Sequence, residues 1–290
     1  MRHSITVSVL ALAAGALAAD CNGHAELCDR IYSNVTFVGA HNSPFVGIGP
    51  ADNQFTSPTD QLNQGVRFLQ AQTQDDNGSP EMCHTSCILE DAGSLQDYLG
   101  EIKTWVDANP NEVITLLITN PDAIDITKYG DAFTSTGLDA YVFTPDGQLG
   151  FNDWPTLGDL ISAGTRVIVF MDYNMDTSKV PYILDEFAYY FETPFDPTED
   201  ILTSQCNIDR PSGASADGRM YLVNHNKNIE VLPDVLIPDE VNAGDTNSVA
   251  SITAQTNICV QSYGHNPNVV LLDFVSAGDT IAAQDQLNGF

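Results

Sequence analysis

The feature that most constrains the fold is an alternation of short, strongly apolar runs with longer amphipathic stretches. The apolar runs are rich in β-branched residues and predict buried strands at residues 35–40, 66–72, 113–118, 166–171, 221–223 and 268–272. Helical spacing of apolar residues, with Ser or Thr at the start, predicts helices at 59–65, 94–106 and 156–163. This alternation over 290 residues predicts the α/β class, as a single distorted TIM (β/α)8-type barrel.

Two further segments have weaker patterns. Residues 81–83 form a short apolar run that leads into His84, and we predict a third strand there. Residues 180–191 are amphipathic and fit a helix as well as a strand. No internal repeat or low-complexity linker divides the chain, so residues 20–290 are predicted to form one domain.

Residues 1–19 are predicted to be a secretory signal peptide. A basic start precedes an apolar run, and Ala16-Leu17-Ala18 supplies a small-x-small cleavage site. No later apolar stretch approaches the ~20 residues of a membrane span, and the C-terminus lacks the hydrophobic tail of a lipid-anchor signal. We therefore expect a soluble, secreted, extracellular protein without a stable membrane anchor. Asn34 and Asn77 begin Asn-x-Ser/Thr sequons, which predict a glycoprotein.

The six cysteines form an even set, which in a secreted protein predicts disulfides. Six cysteines allow fifteen pairings. The local spacings favour the pairs Cys21–Cys28 and Cys83–Cys87, which leaves Cys206–Cys259 as the long-range bridge. A zinc site at Cys83, His84 and Cys87 is disfavoured, because the compartment is oxidising and no second matching cluster exists in the sequence.

The chain is strongly acidic. Its 10 basic and 39 acidic residues give a net charge of −29. Nucleic acids and anionic membranes need clustered Lys and Arg, so the charge argues against both as bulk partners. We expect a monomer whose charge keeps it soluble.

Polar side chains follow the apolar strand runs one after another. In a closed parallel barrel the carboxyl ends of the strands meet at one mouth, where catalytic side chains project. The residues at these ends are His41, Gln72, His84, Asn120, Asp172, Asn224 and Asp273. The sequence therefore predicts a mouth that pools two histidines, two carboxylates and several amides, a set suited to acid–base chemistry.

Two histidines on opposite sides of a substrate can divide proton transfer. One imidazole accepts the proton of an attacking hydroxyl while the other donates a proton to the departing oxygen. A carboxylate such as Asp273 can hold one imidazole in the useful tautomer. Cleavage of a phosphodiester by an internal hydroxyl needs these two proton transfers and a group that neutralises the phosphoryl oxygens.

Several motifs resemble a known family. Residues 38–44, 61–72, 82–84, 105–116 and 268–274 are similar to the phosphatidylinositol-specific phospholipase C X-domain family, in its secreted, fungal-type PLC-like phosphodiesterase branch. The resemblance is clear over residues 30–125 and looser elsewhere. It implies a distorted TIM barrel in which His41 is the general base on the 2-hydroxyl of an inositol ring. By the same resemblance His84 is the general acid, and Asp273 supports His41.

The resemblance also implies two ways of neutralising the phosphate. Bacterial members pair an Asp after the first His with an Arg on the second strand, whereas calcium-dependent members use an Asn there with second-strand carboxylates. Here Asn42 fits the calcium type, but Gln70 and Gln72 occupy the second-strand positions. Because neutral amides are poor ligands for a hard divalent ion, calcium is disfavoured and no cofactor is expected.

The remaining cation on this strand is Arg67. It shares a face with Leu69 and Ala71, which favours a structural role, with phosphate binding as the alternative. The residues predicted to bind substrate are Asn42, Arg67, Gln70, Gln72, Asn120 and Asp172, beside the catalytic set His41, His84 and Asp273.

These observations predict an enzyme of lipid metabolism. We expect a secreted phosphoric diester hydrolase or lyase that acts on a phosphoinositide or related glycerophosphodiester by His–His acid–base catalysis. The alternative is a barrel that has lost turnover and binds an inositol or glycan headgroup. A serine hydrolase is disfavoured by the lack of a Gly-x-Ser-x-Gly elbow. For a glycosidase, only Asp172 with Asp273 would form a pair.

Overall fold

A computed structural model describes residues 20–195, 197–198, 206–233 and 235–290; the predicted signal peptide lies outside these residues. The described strands are β1 (Phe37–Ala40), β2 (Phe68–Gln72), β3 (Gln74–Asp76), β4 (Ser79–Cys83), β5 (Asp91–Ser94), β6 (Ile114–Thr119), β7 (Val167–Met171), β8 (Ile183–Asp185), β9 (Tyr190–Glu192), β10 (Met220–Asn224), β11 (Asn228–Leu232), β12 (Val235–Pro238) and β13 (Val269–Leu272). The described α-helices are α1 (Pro58–Gln64), α2 (Leu95–Ala108), α3 (Ile126–Thr136), α4 (Leu157–Ala163), α5 (Glu186–Tyr189), α6 (Ala243–Thr246), α7 (Val249–Tyr263) and α8 (Thr280–Asn288).

Eight strands form one curled sheet in the order β8-β7-β6-β2-β1-β13-β10-β9, and every neighbouring pair is parallel. The predicted α/β barrel fold is confirmed, as a curled sheet whose edge strands are β8 and β9. The ambiguous stretch 180–191 contains both types of structure, because β8, α5 and β9 follow one another there. The carboxyl ends of the eight strands define the mouth of the barrel.

Alternation along the strands separates two apolar layers. Inward side chains such as Phe68, Phe170 and Leu222 fill the barrel interior. Outward side chains such as Leu69 and Val169 belong to the layer that also contains α2 and α3. Burial of each Leu, Val or Phe side chain stabilises the fold by roughly 1.5–3 kcal/mol, so these two layers dominate its stability.

The three predicted helices are found close to their predicted bounds, as α1, α2 and α4. Ser94 caps α2 by accepting a hydrogen bond from the Asp97 backbone N–H (3.1 Å). Thr156 and Asp159 form a reciprocal capping box at α4. Gly65 ends α1 in the left-handed conformation (φ 109°), which a residue with a Cβ adopts at a cost.

The strand predicted at residues 81–83 is not a barrel strand. β4 pairs antiparallel with β3 and β5 in a separate three-stranded sheet that follows β2. Glu81 and Met82 therefore lie outside the parallel ladder, and His84 reaches the mouth from this small sheet rather than from the end of a barrel strand. The sequence of a single short strand does not indicate which sheet it joins. The pattern at residues 81–83 therefore could not distinguish the barrel sheet from the small antiparallel sheet.

Three disulfides lie in the described residues: Cys21–Cys28, Cys83–Cys87 and Cys206–Cys259. These are the pairs that the spacing favours. The sequon residues Asn34 and Asn77 are both exposed, so their glycosylation stays a prediction that the fold permits. Within the described ranges no helix is long and apolar enough to cross a membrane.

Candidate active site

Strand alternation places a polar layer directly above the apolar interior of the barrel. β1 directs Phe37, Gly39 and then His41 inward. A Cβ on Gly39 would lie 2.9 Å from Leu271 Cδ1 and 3.0 Å from Phe68 Cδ1, so only glycine fits below the histidine. The same alternation brings Asp273, which follows β13, to the mouth beside His41.

His41 and Asp273 form a hydrogen-bonded pair. His41 Nδ1 lies 2.8 Å from Asp273 Oδ1, and the side chains are 19% and 5% exposed. Because an ionised carboxylate only accepts hydrogen bonds, the proton of the neutral imidazole is on Nδ1. The lone pair is then on Nε2, so this pair presents a base nitrogen held in one tautomer.

His84 is fixed by contacts on both sides of its ring. Its Nδ1 donates to the Ala51 carbonyl oxygen at 2.6 Å, and its ring stacks on Phe45 with centroids 5.2 Å apart. Its Nε2 lies 3.3 Å from Asn42 Nδ2. The structure therefore brings the second histidine against the residue that follows the first. We call His41, Asn42, Asn53, His84 and Asp273 the histidine wall.

Each of the three predicted catalytic residues precedes a residue in the left-handed region. These residues are Asn42 (φ 48°), Thr85 (φ 63°) and Phe274 (φ 49°). Such a backbone costs roughly 1–3 kcal/mol per residue, least for Asn, and persists only where surrounding contacts enforce it. Strain of this kind clusters at functional sites, and here it turns the chain sharply after His41, His84 and Asp273.

The two glutamines of β2 hold two of these turns. Gln70 Oε1 accepts the Asn42 backbone N–H at 2.7 Å, and Gln72 Oε1 accepts the Thr85 backbone N–H at 3.2 Å. Both were predicted to bind substrate. Their carbonyl oxygens instead accept backbone N–H groups beside each histidine. Gln70 and Gln72, at the positions where the family resemblance implies charged residues, therefore support the histidine wall.

A second polar cluster lies on the other strands of the mouth. Glu186 and Glu192 are almost fully buried, and the guanidinium of Arg210 forms an ion pair with Glu192. Asn224 Nδ2 donates to the same Glu192 oxygen at 3.3 Å, and Asp172 is 7% exposed nearby. We call Asp172, Glu186, Glu192, Arg210 and Asn224 the acidic wall.

Burial weakens the acids of this wall. Burial raises the pKa of Asp172 to about 6, although the backbone N–H groups of Asn120 and Tyr173 lower it in part. Burial and the adjacent carboxylate of Glu192 raise the pKa of Glu186 well above its usual range. The wall therefore combines the Glu192–Arg210 ion pair with Glu186, a carboxyl group whose ionisation is opposed by burial and by Glu192.

Sequence reasoning found only part of the acidic wall. Asp172 and Asn224 follow clear strands, but Glu186 and Glu192 lie in the stretch whose pattern was ambiguous. Arg210 lies on the loop before β10, where its carbonyl oxygen accepts the Glu192 backbone N–H at 2.8 Å. A loop has no periodicity, so no sequence signal pointed to this arginine.

Two predicted substrate-binding residues do not face the mouth in the expected way. Arg67 precedes β2 at the opposite end of the barrel, where its Nε donates to Glu112 at 2.7 Å and its guanidinium covers Trp105. These contacts, below the polar layer, favour the structural role of Arg67 over the predicted alternative of phosphate binding. The side chain of Asn120 hydrogen-bonds to both the N–H and the carbonyl of Ile124, so its amide closes a loop, and its part in substrate binding stays a prediction.

Exposed apolar side chains surround the mouth. Every exposed large hydrophobic residue of the described chain except Phe290 lies on a segment that follows the carboxyl end of β1, β4, β7, β9 or β10. We call them the apolar rim: Val46, Ile48, Phe55, Ile88, Leu89, Tyr173, Phe195, Ile229, Val231, Leu232, Val235, Leu236 and Val241. Clustered apolar exposure of this kind marks an interaction surface.

The fold and the histidine wall define the class of protein: an α/β barrel with a His–Asp pair and a second histidine at the carboxyl end of its strands. A family model described as PI-PLC X matches residues 27–288. "PI-PLC X domain-containing protein 1" from Arthroderma benhamiae is 53% identical over 274 residues, covering 93% of this chain and 89% of that protein. The chain belongs to the PI-PLC X family, as the sequence motifs indicated.

The chain is also similar to a second fungal protein and to two solved structures. An "Uncharacterized secreted protein" of Arthroderma benhamiae is 43% identical over 270 residues, covering 89% of this chain and 61% of that protein. The phosphatidylinositol-specific phospholipase C of Listeria monocytogenes superposes with a TM-score of 0.62 at 15% identity, covering 91% of this chain and 96% of that one. The F249X mutant of the Staphylococcus aureus enzyme gives 0.62 at 13% identity, covering 90% and 95%. These superpositions show a shared fold.

The residues at the calcium-type positions do not fit calcium. The Asn42 amide nitrogen faces Asn53 and His84, and the Gln70 and Gln72 carbonyl oxygens bind backbone N–H groups. In the part of the chain that the structure describes, no three His, Cys, Asp or Glu side chains are grouped to hold a metal ion. A hard cation needs several converging oxygens, which the side chains at these positions do not offer.

Proposed function

We propose that the protein cleaves the phosphodiester bond of an inositol-type headgroup by general acid–base catalysis without a metal ion. The observation that carries this proposal is the 2.8 Å His41–Asp273 pair with His84 held across Asn42. The PI-PLC X family and the barrel fold support the phosphodiesterase class.

The chemistry requires two proton transfers. A headgroup hydroxyl gives its proton to His41 Nε2, and its oxygen bonds to phosphorus. The bond from phosphorus to the ester oxygen of the alcohol then breaks, and that oxygen takes the proton of protonated His84 Nε2. Asp273 stabilises the imidazolium that forms on His41. The products are a cyclic phosphodiester of the headgroup and a free alcohol.

The acidic wall supports a polyol headgroup without further phosphate groups. The carboxylates of Asp172 and Glu192 accept hydrogen bonds from hydroxyls. The same carboxylates repel additional phosphates at this wall, because they lie in a poorly solvated site. Phosphatidylinositol and glycerophosphoinositol satisfy these requirements, whereas multiply phosphorylated inositides do not.

The apolar rim favours a lipid over a soluble diester. It surrounds the mouth, so acyl chains leaving the site would contact apolar side chains. The relative named a secreted protein and the three disulfides support secretion of this chain. We therefore place the reaction outside the cell, on the headgroup of a membrane or dispersed lipid.

A second candidate function is headgroup binding without turnover. It is favoured by Gln70 and Gln72, which replace charged groups that would neutralise the phosphoryl oxygens. Loss of one such electrostatic group costs about 100-fold or more in rate. Binding of phosphatidylinositol vesicles without any product would support this candidate.

The test is an assay on phosphatidylinositol and on glycerophosphoinositol, each with calcium and with a chelator. We expect chelator-insensitive turnover that falls by about 100- to 10,000-fold in His41→Ala and in His84→Ala. His24→Ala is the matched control, because His24 lies outside the mouth in a surface pair with Asp285 and its loss should leave turnover unchanged. Turnover that survives both mouth substitutions would contradict the mechanism, and loss of turnover with chelator would contradict its metal independence.

A further inference from the structure

One continuous hydrogen-bond chain joins the two histidines through two buried asparagines. Asp273 Oδ1 accepts from His41 Nδ1 at 2.8 Å and from Asn53 Nδ2 at 2.9 Å. Asn53 Oδ1 accepts from Asn42 Nδ2 at 3.0 Å, and the same nitrogen lies 3.3 Å from His84 Nε2. Asn42 and Asn53 are 0% and 2% exposed, so the protein fixes the partners of both amides.

The direction of every bond in the chain follows from Asp273. A carboxylate accepts only, so Asn53 turns its NH2 group to Asp273 and its oxygen to Asn42. Asn42 must then present its NH2 group to Asn53, and the second hydrogen of that group points to His84. His84 Nε2 therefore accepts, which leaves the ring proton on Nδ1, where it is donated to the Ala51 carbonyl.

We propose that Asn53 is a positioning residue that transmits the orientation set by Asp273 through Asn42 to His84, and so holds the second histidine in its neutral Nδ1–H tautomer. The proposal rests on the proposed function, because it concerns how the acid of that reaction is loaded with its proton. Asn53 keeps its place through backbone bonds as well: its N–H donates to Phe45 and its carbonyl accepts from Phe274. Its side chain is therefore separable from the local fold.

The chain has a consequence for proton delivery. His84 can act as an acid only with a proton on Nε2, and that proton would face the NH2 group of Asn42. To accept it, Asn42 must turn its Oδ1 toward the ring; this oxygen is buried and has no hydrogen-bond partner among the described residues. The turn breaks the hydrogen bond to Asn53. The present orientation of Asn42 therefore presents a donor, not an acceptor, to His84 Nε2.

The first test needs no activity. Nitrogen-15 NMR of the imidazoles, with His84 assigned by the loss of one signal in His84→Gln, should show the Nδ1–H tautomer for both His41 and His84 at neutral pH. A neutral His84 in the Nε2–H form would overturn the proposed direction of the chain, whether or not the protein turns over any substrate.

The second test interrupts the hydrogen-bond chain between the two histidines by replacing Asn53. In Asn53→Leu the Asn42 amide is free to turn, so the pH midpoint at which His84 gains its second proton should rise by about one unit, the equivalent of one hydrogen bond. The segments that contact His84 carry two titratable residues, Asp52 beside Ala51 and Glu90. Both are unchanged in Asn53→Leu, so the comparison with the parent protein isolates the effect of Asn53. The basic limb of the pH–rate profile should move in the same direction.

Two further variants separate positioning from general damage. Asn288→Leu removes a buried amide that binds Thr36 at the other end of the barrel; it should lower stability without moving the His84 midpoint. Asn42→Asp gives His84 an acceptor directly and should raise the midpoint at least as far as Asn53→Leu. An unchanged midpoint in both mouth variants would refute the positioning role, and the NMR result on the parent protein stands if either variant fails to fold.

Discussion

The two walls of the mouth are built on different physical principles. The histidine wall fixes geometry with neutral groups: Gln70, Gln72 and Asn53 hold backbone turns or side chains around His41 and His84. The acidic wall instead concentrates buried charge, with Glu186 and Glu192 beside one arginine. Catalytic groups must be held in a defined orientation, which the histidine wall provides. The hydroxyls of a substrate need hydrogen-bond acceptors, which the acidic wall provides.

The comparison predicts that the walls fail differently when altered. A change in the histidine wall should lower turnover more than stability, because its bonds orient groups rather than hold the core. A change in the acidic wall should alter stability in a pH-dependent way, because burial raises the pKa of its acids Asp172 and Glu186. The two predictions below separate these outcomes.

The larger effect is expected for Asp273→Asn. The amide can keep a hydrogen bond to His41 but cannot stabilise its imidazolium, and it favours the wrong tautomer. We expect kcat to fall about 1,000-fold, equivalent to about 4 kcal/mol in the barrier, with little change in KM. Kinetics on phosphatidylinositol with chelator present would measure this loss.

The control for Asp273→Asn is Asp285→Asn. Asp285 also pairs with a histidine, His24, but far from the mouth, so turnover should stay at the parental value. If Asp273→Asn retained more than a tenth of parental kcat, a support role for Asp273 would be refuted. Thermal unfolding of both variants would show whether any loss comes from the fold instead.

The smaller effect is expected for Asp172→Asn and appears as pH dependence. Burial raises the pKa of Asp172 to about 6, so the folded protein binds this proton more tightly than the unfolded chain. Its contribution to stability is therefore complete below about pH 4 and is lost as the pH rises from about 4 to about 6. Asparagine can accept the same backbone bonds from Asn120 and Tyr173 without carrying charge.

Urea unfolding at pH 4 and pH 7 measures this difference. Asp172→Asn should match the parent at the lower pH and exceed it by about 2 kcal/mol at the higher one. Asp131→Asn, which changes an exposed carboxylate on α3, should show no such dependence. A gain that is equal at both pH values would mean that Asp172 is not held with a raised pKa.

The barrel could be predicted from the sequence because its determinants, the apolar strand runs and the amphipathic helices, are local and repeated. Each apolar run ends in a polar residue, and the parallel order of the strands brings His41, Asp172 and Asp273 to one end of the sheet. The starts of α2 and α4 could be predicted because each capping interaction, at Ser94 and at Thr156, lies within four consecutive residues. The strand at residues 81–83 was misassigned to the barrel, since a three-residue run does not specify its neighbours.

The site was less predictable because its polar partners come from distant positions. Asn53 contacts Asp273 across 220 residues, and Arg210 reaches Glu192 from a loop. The predicted role of Gln70 and Gln72 was based on the residues they replace, whereas the structure shows what their oxygens bind. Such long-range hydrogen bonds leave no periodic signal in a single sequence.

The central claim is that two histidines cleave a phosphodiester through attack by an internal hydroxyl. Phosphorus NMR of phosphatidylinositol in mixed micelles, incubated with the protein and a chelator, tests it most directly. The account predicts that a cyclic phosphodiester of inositol appears as the first product and is absent with His41→Ala. A phosphomonoester formed first, or the absence of any new phosphorus signal, would contradict it.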